Sequence, residues 1–196
     1  MSRWVITRPG TMPPEGAPAL FLDRDGVVVV EKDYLSDPDQ VELVAGVAEA
    51  LCRARSAGWL LIGVSNQSGL GRGRFTLEQF NLVMHRLDEI LAAAGCPLDG
   101  FFFCPHAPGE GCRCRKPAPG LLEESAAHFS WDADRSWVIG DKVSDVDLAL
   151  NHGLRPALVR TGHGLDQEPR LGDRPGVLVA DDLPAVIDFI LQEATS

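Results

Sequence analysis

The chain has 196 residues, 45% of them hydrophobic and 23% charged, which is ordinary for one globular domain. This composition excludes a disordered chain, a collagen-like chain and a coiled coil. The formal net charge of −10 argues against a nucleic-acid partner, and the longest apolar runs are too short to span a bilayer. Because Met1–Pro18 is polar and broken by prolines, it lacks the apolar core of a secretion signal, and we expect a cytoplasmic protein.

Apolar runs and helical stripes alternate along the chain. The runs predict strands at Ala19–Leu22, Trp59–Val64, Phe101–Phe103, Ser136–Ile139, Ala157–Arg160 and Val177–Ala180. The stripes predict helices at Val41–Ala57, Thr76–Gly95, Gly120–Phe129, Val143–Asn151 and Leu183–Glu193, with a surface loop at Thr161–Pro175. The alternation predicts an α/β fold, a doubly wound, Rossmann-like parallel sheet with helices on both faces. We assign residues 1–18 to an N-terminal extension and residues 19–196 to the domain.

The polar segments of interest follow the predicted strands. They are Asp23-Arg24-Asp25-Gly26, Ser65-Asn66-Gln67-Ser68-Gly69, Cys104-Pro105-His106 and Gly140-Asp141-Lys142. In a doubly wound sheet, ligands bind beyond the C-terminal ends of the strands. The four segments therefore predict one functional site at that edge of the sheet.

Two carboxylates flank Arg24 at the end of the first predicted strand. In a pair spaced like Asp23 and Asp25, one group can attack an electrophile while the other manages a proton. Hard oxygen ligands from Asp23 and Asp141 suit Mg²⁺. The alternative at Asp25-Gly26 is an ordinary Asp-Gly turn. The alternative at Asp141 is an acid that stabilises the N-terminus of the next helix through the helix dipole.

The segment after the second strand offers hydroxyl, amide and glycine groups as donors to an anion. Arg115 and Lys116 add positive charge in an otherwise acidic chain. The alternatives here are a polar loop and a solvated surface pair, which is the usual position of Arg and Lys.

Three cysteines and a histidine fall within eleven residues, at Cys104, His106, Cys112 and Cys114. Three thiolates and one imidazole form the ligand set of a closed, structural Zn²⁺ site. The alternative is a set of incidental cysteines. We predict a zinc-stapled loop with no open position for a catalytic water.

In chain order these segments resemble the motifs of the haloacid dehalogenase-like phosphohydrolases. The matching residues are Asp23-Arg24-Asp25-Gly26, Ser65, Lys116 and Gly140-Asp141 with Asp145. The chain looks most like the subfamily that holds heptose-bisphosphate and histidinol-phosphate phosphatases. The residues that carry this closer resemblance are Phe21–Gly26, Ser65–Gly69, Cys104-Pro105-His106 and Cys112–Pro117.

The resemblance implies a Mg²⁺-dependent phosphatase that works through an aspartyl-phosphate. Asp23 would be the nucleophile, and Asp25 would protonate the leaving oxygen and later activate water. Ser65 and Lys116 would hold the transferring phosphoryl group. Mg²⁺ would be bound by Asp23, the backbone carbonyl of Asp25 and Asp141, and Zn²⁺ would be structural. Phosphoryl transfer needs mainly positioning and charge neutralisation, which this set supplies.

The resemblance also implies a set of substrate-binding residues. They are Glu31, Lys32, Asp33, Tyr34, Asn66, Gln67, Ser68, Arg115 and Lys142. About forty residues separate Asp23 from Ser65, which leaves no room for the large cap domain that mutases of this family carry. We therefore expect an open site, in a monomer that acts on a small phosphorylated metabolite.

Scarce positive charge gathers near the predicted edge, at Arg72 and Arg74 among others, which favours a substrate with a second anionic group. The run Ser65–Gly69 also resembles the heptose-bisphosphate enzymes more closely than the histidinol-phosphate enzymes. That resemblance implies that the chain removes the 7-phosphate of D-glycero-D-manno-heptose 1,7-bisphosphate. Histidinol phosphate stays open as the alternative substrate, because Glu31 and Asp33 suit an amine. A more distant alternative is a catalytically inactive, zinc-stapled binding domain.

Overall fold

The predicted strands pair into one parallel sheet in the computed structural model of the chain, which describes residues 15–194. They are β1 Ala19–Leu22, β2 Leu60–Asn66, β3 Gly100–Cys104, β4 Trp137–Gly140, β5 Arg155–Val159 and β6 Leu178–Ala180. Their order in the sheet is β3-β2-β1-β4-β5-β6, so the winding reverses between β1 and β4. The segment after β1 therefore lies at the topological switch point, where such sheets bind ligands.

Helices cover both faces of the sheet, as predicted. They are α1 Val47–Ser56, α2 Ser68–Gly71, α3 Leu77–Ala93, α4 Gly120–Ala126, α5 Val143–Asn151, α6 Gly164–Gln167 and α7 Leu183–Glu193. One buried core joins a face of the sheet to α1, α3 and α7, through residues such as Leu51, Phe80 and Ile187. A second core joins the other face to α4 and α5, through Leu122 and Leu148. In the part of the chain described, none of the helices has the length and apolar character needed to cross a membrane.

The prediction that a helix begins at Val41 is wrong. Helix α1 begins only at Val47, after Gly46 in the left-handed region at φ 74°. Residues 41–44 are extended instead and pair with residues 28–30, where the Val30 amide donates to the Glu42 carbonyl. The apolar residues of this stretch therefore pack against the core as part of an irregular hairpin. Helical periodicity does not reveal the pairing between the two arms of that hairpin.

The other boundaries move by a few residues. The predicted loop at Thr161–Pro175 contains α6 and a short 3-10 helix at Glu168–Arg170. At the N-terminus, residues 1–14 of the predicted extension lie outside the described residues. Ala17 already pairs with Trp131, and the Pro18 carbonyl accepts the Leu60 amide, so the sheet begins to form slightly before residue 19.

The connection from β1 to β2 contains no large cap domain. Residues 23–59, all of them described, hold the irregular hairpin, a 3-10 turn at Pro38–Gln40 and α1. The C-terminal edge of the sheet is consequently bordered by short loops, as the chain length between Asp23 and Ser65 predicts.

Candidate active site

A cleft of about 300 Å³ opens at the C-terminal edge of the sheet, beyond β1 and β2. Its lining residues are Asp23, Arg24, Asp25, Glu31, Asp33, Tyr34, Ser65, Asn66, Gln67, Ser68, Gly69, Phe75, Arg115, Lys116, Lys142, Ser144 and His163. Most residues predicted for the site are thus brought together. A larger hollow of about 590 Å³, beside Trp59 and Arg155, contains none of them.

A buried ammonium group joins two acids at the base of the cleft. Lys116 Nζ lies 3.2 Å from Asp23 Oδ1 and 2.6 Å from Asp145 Oδ1, and it donates to the Val64 carbonyl at 2.8 Å. Burial alone would lower the pKa of Lys116, but the charges of Asp145 and Asp23 raise it above its ordinary value. Burial raises the pKa of Asp145 to about 6, against the influence of Lys116. Lys116 is therefore a fixed positive charge beside Asp23.

Asp23 is held in its ionised form. Burial acts to raise its pKa, but the charges of Lys116 and Lys142 and a hydrogen bond with Ser65 outweigh it, so the pKa of Asp23 is lowered. The Arg24 amide also donates to Asp23 Oδ1 at 2.8 Å. A buried, charged carboxylate that contacts an ammonium group can act as a nucleophile towards an anionic electrophile.

Asp25 is oriented by two neighbours. Arg24 donates to both of its carboxylate oxygens, through Nε at 3.0 Å and Nη2 at 2.9 Å. Gln67 Nε2 donates to Asp25 Oδ2 at 2.8 Å and to Ser65 Oγ at 2.9 Å, while its Oε1 accepts from Arg24 at 3.0 Å. This network fixes the direction of the Asp25 carboxyl group at the cleft wall. Arg24 is only 2% exposed. Its position between two acids in the sequence did not predict that it would be buried and would orient Asp25.

The end of β2 and the segment after β3 are joined by a paired amide contact. The Asn66 side chain accepts the Lys116 amide at 3.0 Å and donates to the Lys116 carbonyl at 3.2 Å. The main chain that follows the loop Cys104–Cys114, the cysteine loop, is thereby fixed relative to β2. Asn66 therefore positions the ammonium group that contacts Asp23.

Three carboxylates meet where a divalent cation is predicted. Ligand oxygens of Asp23, Asp141 and Asp145 lie within 4.8 Å of one another, and all three residues are buried. A Cβ at Gly26 would stand 2.6 Å from Asp141 Oδ2, so only glycine lets the first segment approach this carboxylate so closely. Burial and Asp23 raise the pKa of Asp141, and Lys142 opposes them. Carboxylate oxygens this close together suit Mg²⁺, which prefers hard oxygen ligands.

The cysteine cluster has the spacing of a tetrahedral metal site. A zinc ion bound at about 2.3 Å by sulfur and about 2.0 Å by nitrogen separates two sulfurs by about 3.8 Å, and a sulfur and nitrogen by about 3.5 Å. Here Cys104 Sγ lies 3.5 Å from Cys112 Sγ, and His106 Nδ1 lies 3.5 Å from Cys104 Sγ and 3.2 Å from Cys114 Sγ. The four residues can therefore hold a metal ion.

One predicted substrate residue lies outside the cleft. Lys32 Nζ donates to the Gln40 carbonyl at 2.9 Å and to Glu42 at 3.0 Å, so it contributes to the hairpin and not to the cleft wall. The structure therefore does not place Lys32 among the residues that line the cleft, and its assignment to substrate binding stays a prediction. Its charge already has an acidic partner on the solvent side, which the local sequence does not show.

His163 lines the cleft, although its position in a predicted surface loop did not indicate a role. Its amide donates to Asp141 Oδ2 at 2.9 Å, and its Nε2 lies 3.6 Å from Glu31. His163 follows β5. Because residues that follow the strands of such a sheet line the ligand site, a search of the segment after the fifth strand could have found it. Ser144 also joins the lining.

Comparison with known proteins gives concordant results. A family model described as HAD-hydrolase-like matches residues 113–186. The chain is 37% identical to a D-glycero-beta-D-manno-heptose-1,7-bisphosphate 7-phosphatase of Bordetella bronchiseptica, over 89% of this chain and 98% of that protein. It is also 37% identical to the protein of that name from Pseudomonas aeruginosa, over 88% of this chain and 97% of that one.

A solved structure shows the same fold. It is the heptose 1,7-bisphosphate phosphatase of B. bronchiseptica, complexed with magnesium and phosphate, and it superposes with a TM-score of 0.84 at 36% identity. The match covers 90% of this chain and 99% of that one. The similarity therefore extends over most of this chain.

Proposed function

The chain belongs to the haloacid dehalogenase-like phosphatase family, and from that premise we propose that it removes the 7-phosphate of D-glycero-D-manno-heptose 1,7-bisphosphate. The observation that carries the chemistry is Asp23, which is buried at the topological switch point with its Oδ1 3.2 Å from the ammonium group of Lys116. The names of the relatives support the substrate.

The proposed reaction has two displacements at phosphorus. In the first, an Asp23 oxygen forms a bond to phosphorus while the bond to the sugar oxygen breaks, and Asp25 donates a proton to that oxygen. In the second, Asp25 takes a proton from water, the water oxygen bonds to phosphorus, and the Asp23 oxygen leaves. The aspartyl-phosphate is thereby hydrolysed to inorganic phosphate, and both carboxyl groups return to their first state.

Positive charge is the main contribution of the other residues. Lys116 and Ser65 hold the transferring phosphoryl group, and Lys142 stands beside Asp141 at 3.0 Å. The side chains of Asp23 and Asp141, with the backbone carbonyl of Asp25, would hold Mg²⁺, which neutralises charge on the phosphoryl oxygens when bound. A carboxylate approaches a phosphate dianion only when such repulsion is offset.

Zinc in the cluster around Cys104 is proposed to be structural. Four protein ligands leave no open coordination position, so the ion would fold the loop that leads to Arg115 and Lys116. A monomeric state and a cytoplasmic location complete the proposal, and both stay predictions.

One observation favours a second candidate substrate, histidinol phosphate. Glu31 and Asp33 line the cleft, and acids suit the amine of that compound. Glu31, however, already accepts the Asp33 amide at 3.0 Å and lies near His163, so its carboxylate is partly engaged. The unpaired arginines described below favour an anion instead.

A direct kinetic comparison separates the two substrates. We expect kcat/KM for the heptose bisphosphate to exceed that for histidinol phosphate by at least about tenfold, or about 1.4 kcal/mol in transition-state binding. Both are measured as phosphate release in one buffer at one Mg²⁺ concentration. A tenfold preference for histidinol phosphate contradicts the heptose assignment and leaves the phosphatase mechanism standing.

A further inference from the structure

Most arginines of this acidic chain are paired with carboxylates. The chain has 28 acidic and 18 basic residues, and nine of the arginines in the described part form ion pairs with Asp or Glu. Within residues 15–194, the arginines without such a pair are Arg72, Arg74, Arg115 and Arg170. Arg115 lines the cleft and is already assigned to the substrate. Two of the other three are connected to the same cleft.

Tyr34 connects Arg72 and Arg74 to the cleft. Arg72 Nη1 donates to the Tyr34 hydroxyl at 3.3 Å, and the Arg74 guanidinium carbon lies 5.6 Å from the centre of the Tyr34 ring. Tyr34 lines the cleft, and neither arginine is part of the lining, so both guanidinium groups lie one residue away from the cleft, against Tyr34. Asp33 and Tyr34 have φ angles of 40° and 66°, which non-glycine residues rarely adopt and which are frequent at ligand-binding sites.

The backbone beneath the two arginines is fixed from the other side. Gly71, the residue before Arg72, donates its amide to the Pro105 carbonyl at 2.8 Å. A Cβ at Gly71 would stand 2.5 Å from the Ala107 nitrogen, so α2 and the cysteine loop are in close contact. The loop that holds the proposed zinc therefore supports this turn as well as Lys116.

We propose that Arg72 and Arg74, held by Tyr34, form a second anion subsite that binds the phosphate group that is not hydrolysed. The proposal rests on the proposed function and deepens it, because it makes a sugar bisphosphate a better substrate than the corresponding monophosphate. Guanidinium groups form charge-assisted, bidentate hydrogen bonds with phosphate. Neither arginine must first give up a carboxylate partner, so both are available to an anion.

The double variant Arg72→Gln/Arg74→Gln tests the subsite. We expect its kcat/KM for heptose 1,7-bisphosphate to fall by roughly 20- to 100-fold, through loss of charge-assisted contacts. With p-nitrophenyl phosphate, which has one phosphate, we expect a fall of less than about threefold. The matched control is Arg170→Gln, which removes an exposed, unpaired arginine that does not line the cleft. It should change neither rate.

An inhibition experiment without the heptose substrate tests the subsite independently of the substrate assignment. Fructose 1,6-bisphosphate and fructose 6-phosphate are used as inhibitors of p-nitrophenyl phosphate hydrolysis. The bisphosphate should bind at least about tenfold more tightly to the wild-type protein, and the double variant should abolish that difference. Equal losses on all ligands, or no loss, overturn the subsite. Failure of the wild-type protein to hydrolyse the heptose bisphosphate, with this competition pattern intact, overturns only the proposed substrate.

Discussion

Replacement of Asp23 by Asn is expected to lower kcat by at least about 10³-fold. The amide of Asn is neutral and a much weaker nucleophile than the carboxylate that Lys116 and Lys142 keep ionised. The fold should be retained, because the two side chains have nearly the same shape. The substitution also relieves the repulsion by which Asp23 raises the pKa of Asp141.

The measurement is phosphate release from p-nitrophenyl phosphate with Mg²⁺, together with thermal unfolding of both proteins. Asp147→Asn is the matched control, since Asp147 lies in α5 and pairs with Arg174 at 2.6 Å. An acid-quenched reaction with labelled substrate should leave label on the wild-type protein and none on the Asp23→Asn variant. Near wild-type turnover by that variant would rule out the covalent mechanism.

Removal of one cysteine ligand should have the largest effect on stability. We expect purified protein to contain about one zinc per chain and Cys112→Ser to lose most of it. A loss of about 3 kcal/mol of unfolding free energy would lower Tm by roughly 6–12 °C in a chain of this size. Activity should fall indirectly, by up to about 100-fold, because a shift of about 1 Å in Lys116 misplaces its charge.

Metal analysis and thermal unfolding test this prediction, and Cys52→Ser is the matched control. Cys52 is a free cysteine of α1 outside the cluster, and its thiol donates to the Ala94 carbonyl. The control should retain zinc and activity. Absence of zinc from protein prepared without chelators, or unchanged stability after Cys112→Ser, would contradict a structural zinc site.

The sheet and the grouping of the site segments could be predicted because both depend on simple physical patterns. Strands buried on both faces, such as β1 and β2, are continuous apolar runs. Parallel strands then bring the residues that follow them to one edge, which is why Asp23, Ser65 and Asp141 meet. The cysteine cluster was visible because its ligands are close in sequence.

Side-chain directions and long-range pairs could not be predicted in this way. Lys32 has an acidic partner in the hairpin, and that hairpin forms only when residues 41–44 pair with residues 28–30. Arg24 is buried against Asp25 and Gln67, although arginine is usually exposed. Tyr34 brings Arg72 and Arg74 together through a backbone conformation that no local pattern indicates.

The position of the phosphate that is removed tests the central claim most directly. Heptose 1,7-bisphosphate is incubated with the wild-type protein and Mg²⁺, and the product is observed by ³¹P NMR. The account predicts that the C7 phosphate signal is replaced by inorganic phosphate while the C1 phosphate signal keeps its full intensity. Loss of the C1 phosphate, or no hydrolysis under conditions in which p-nitrophenyl phosphate is turned over, would contradict it.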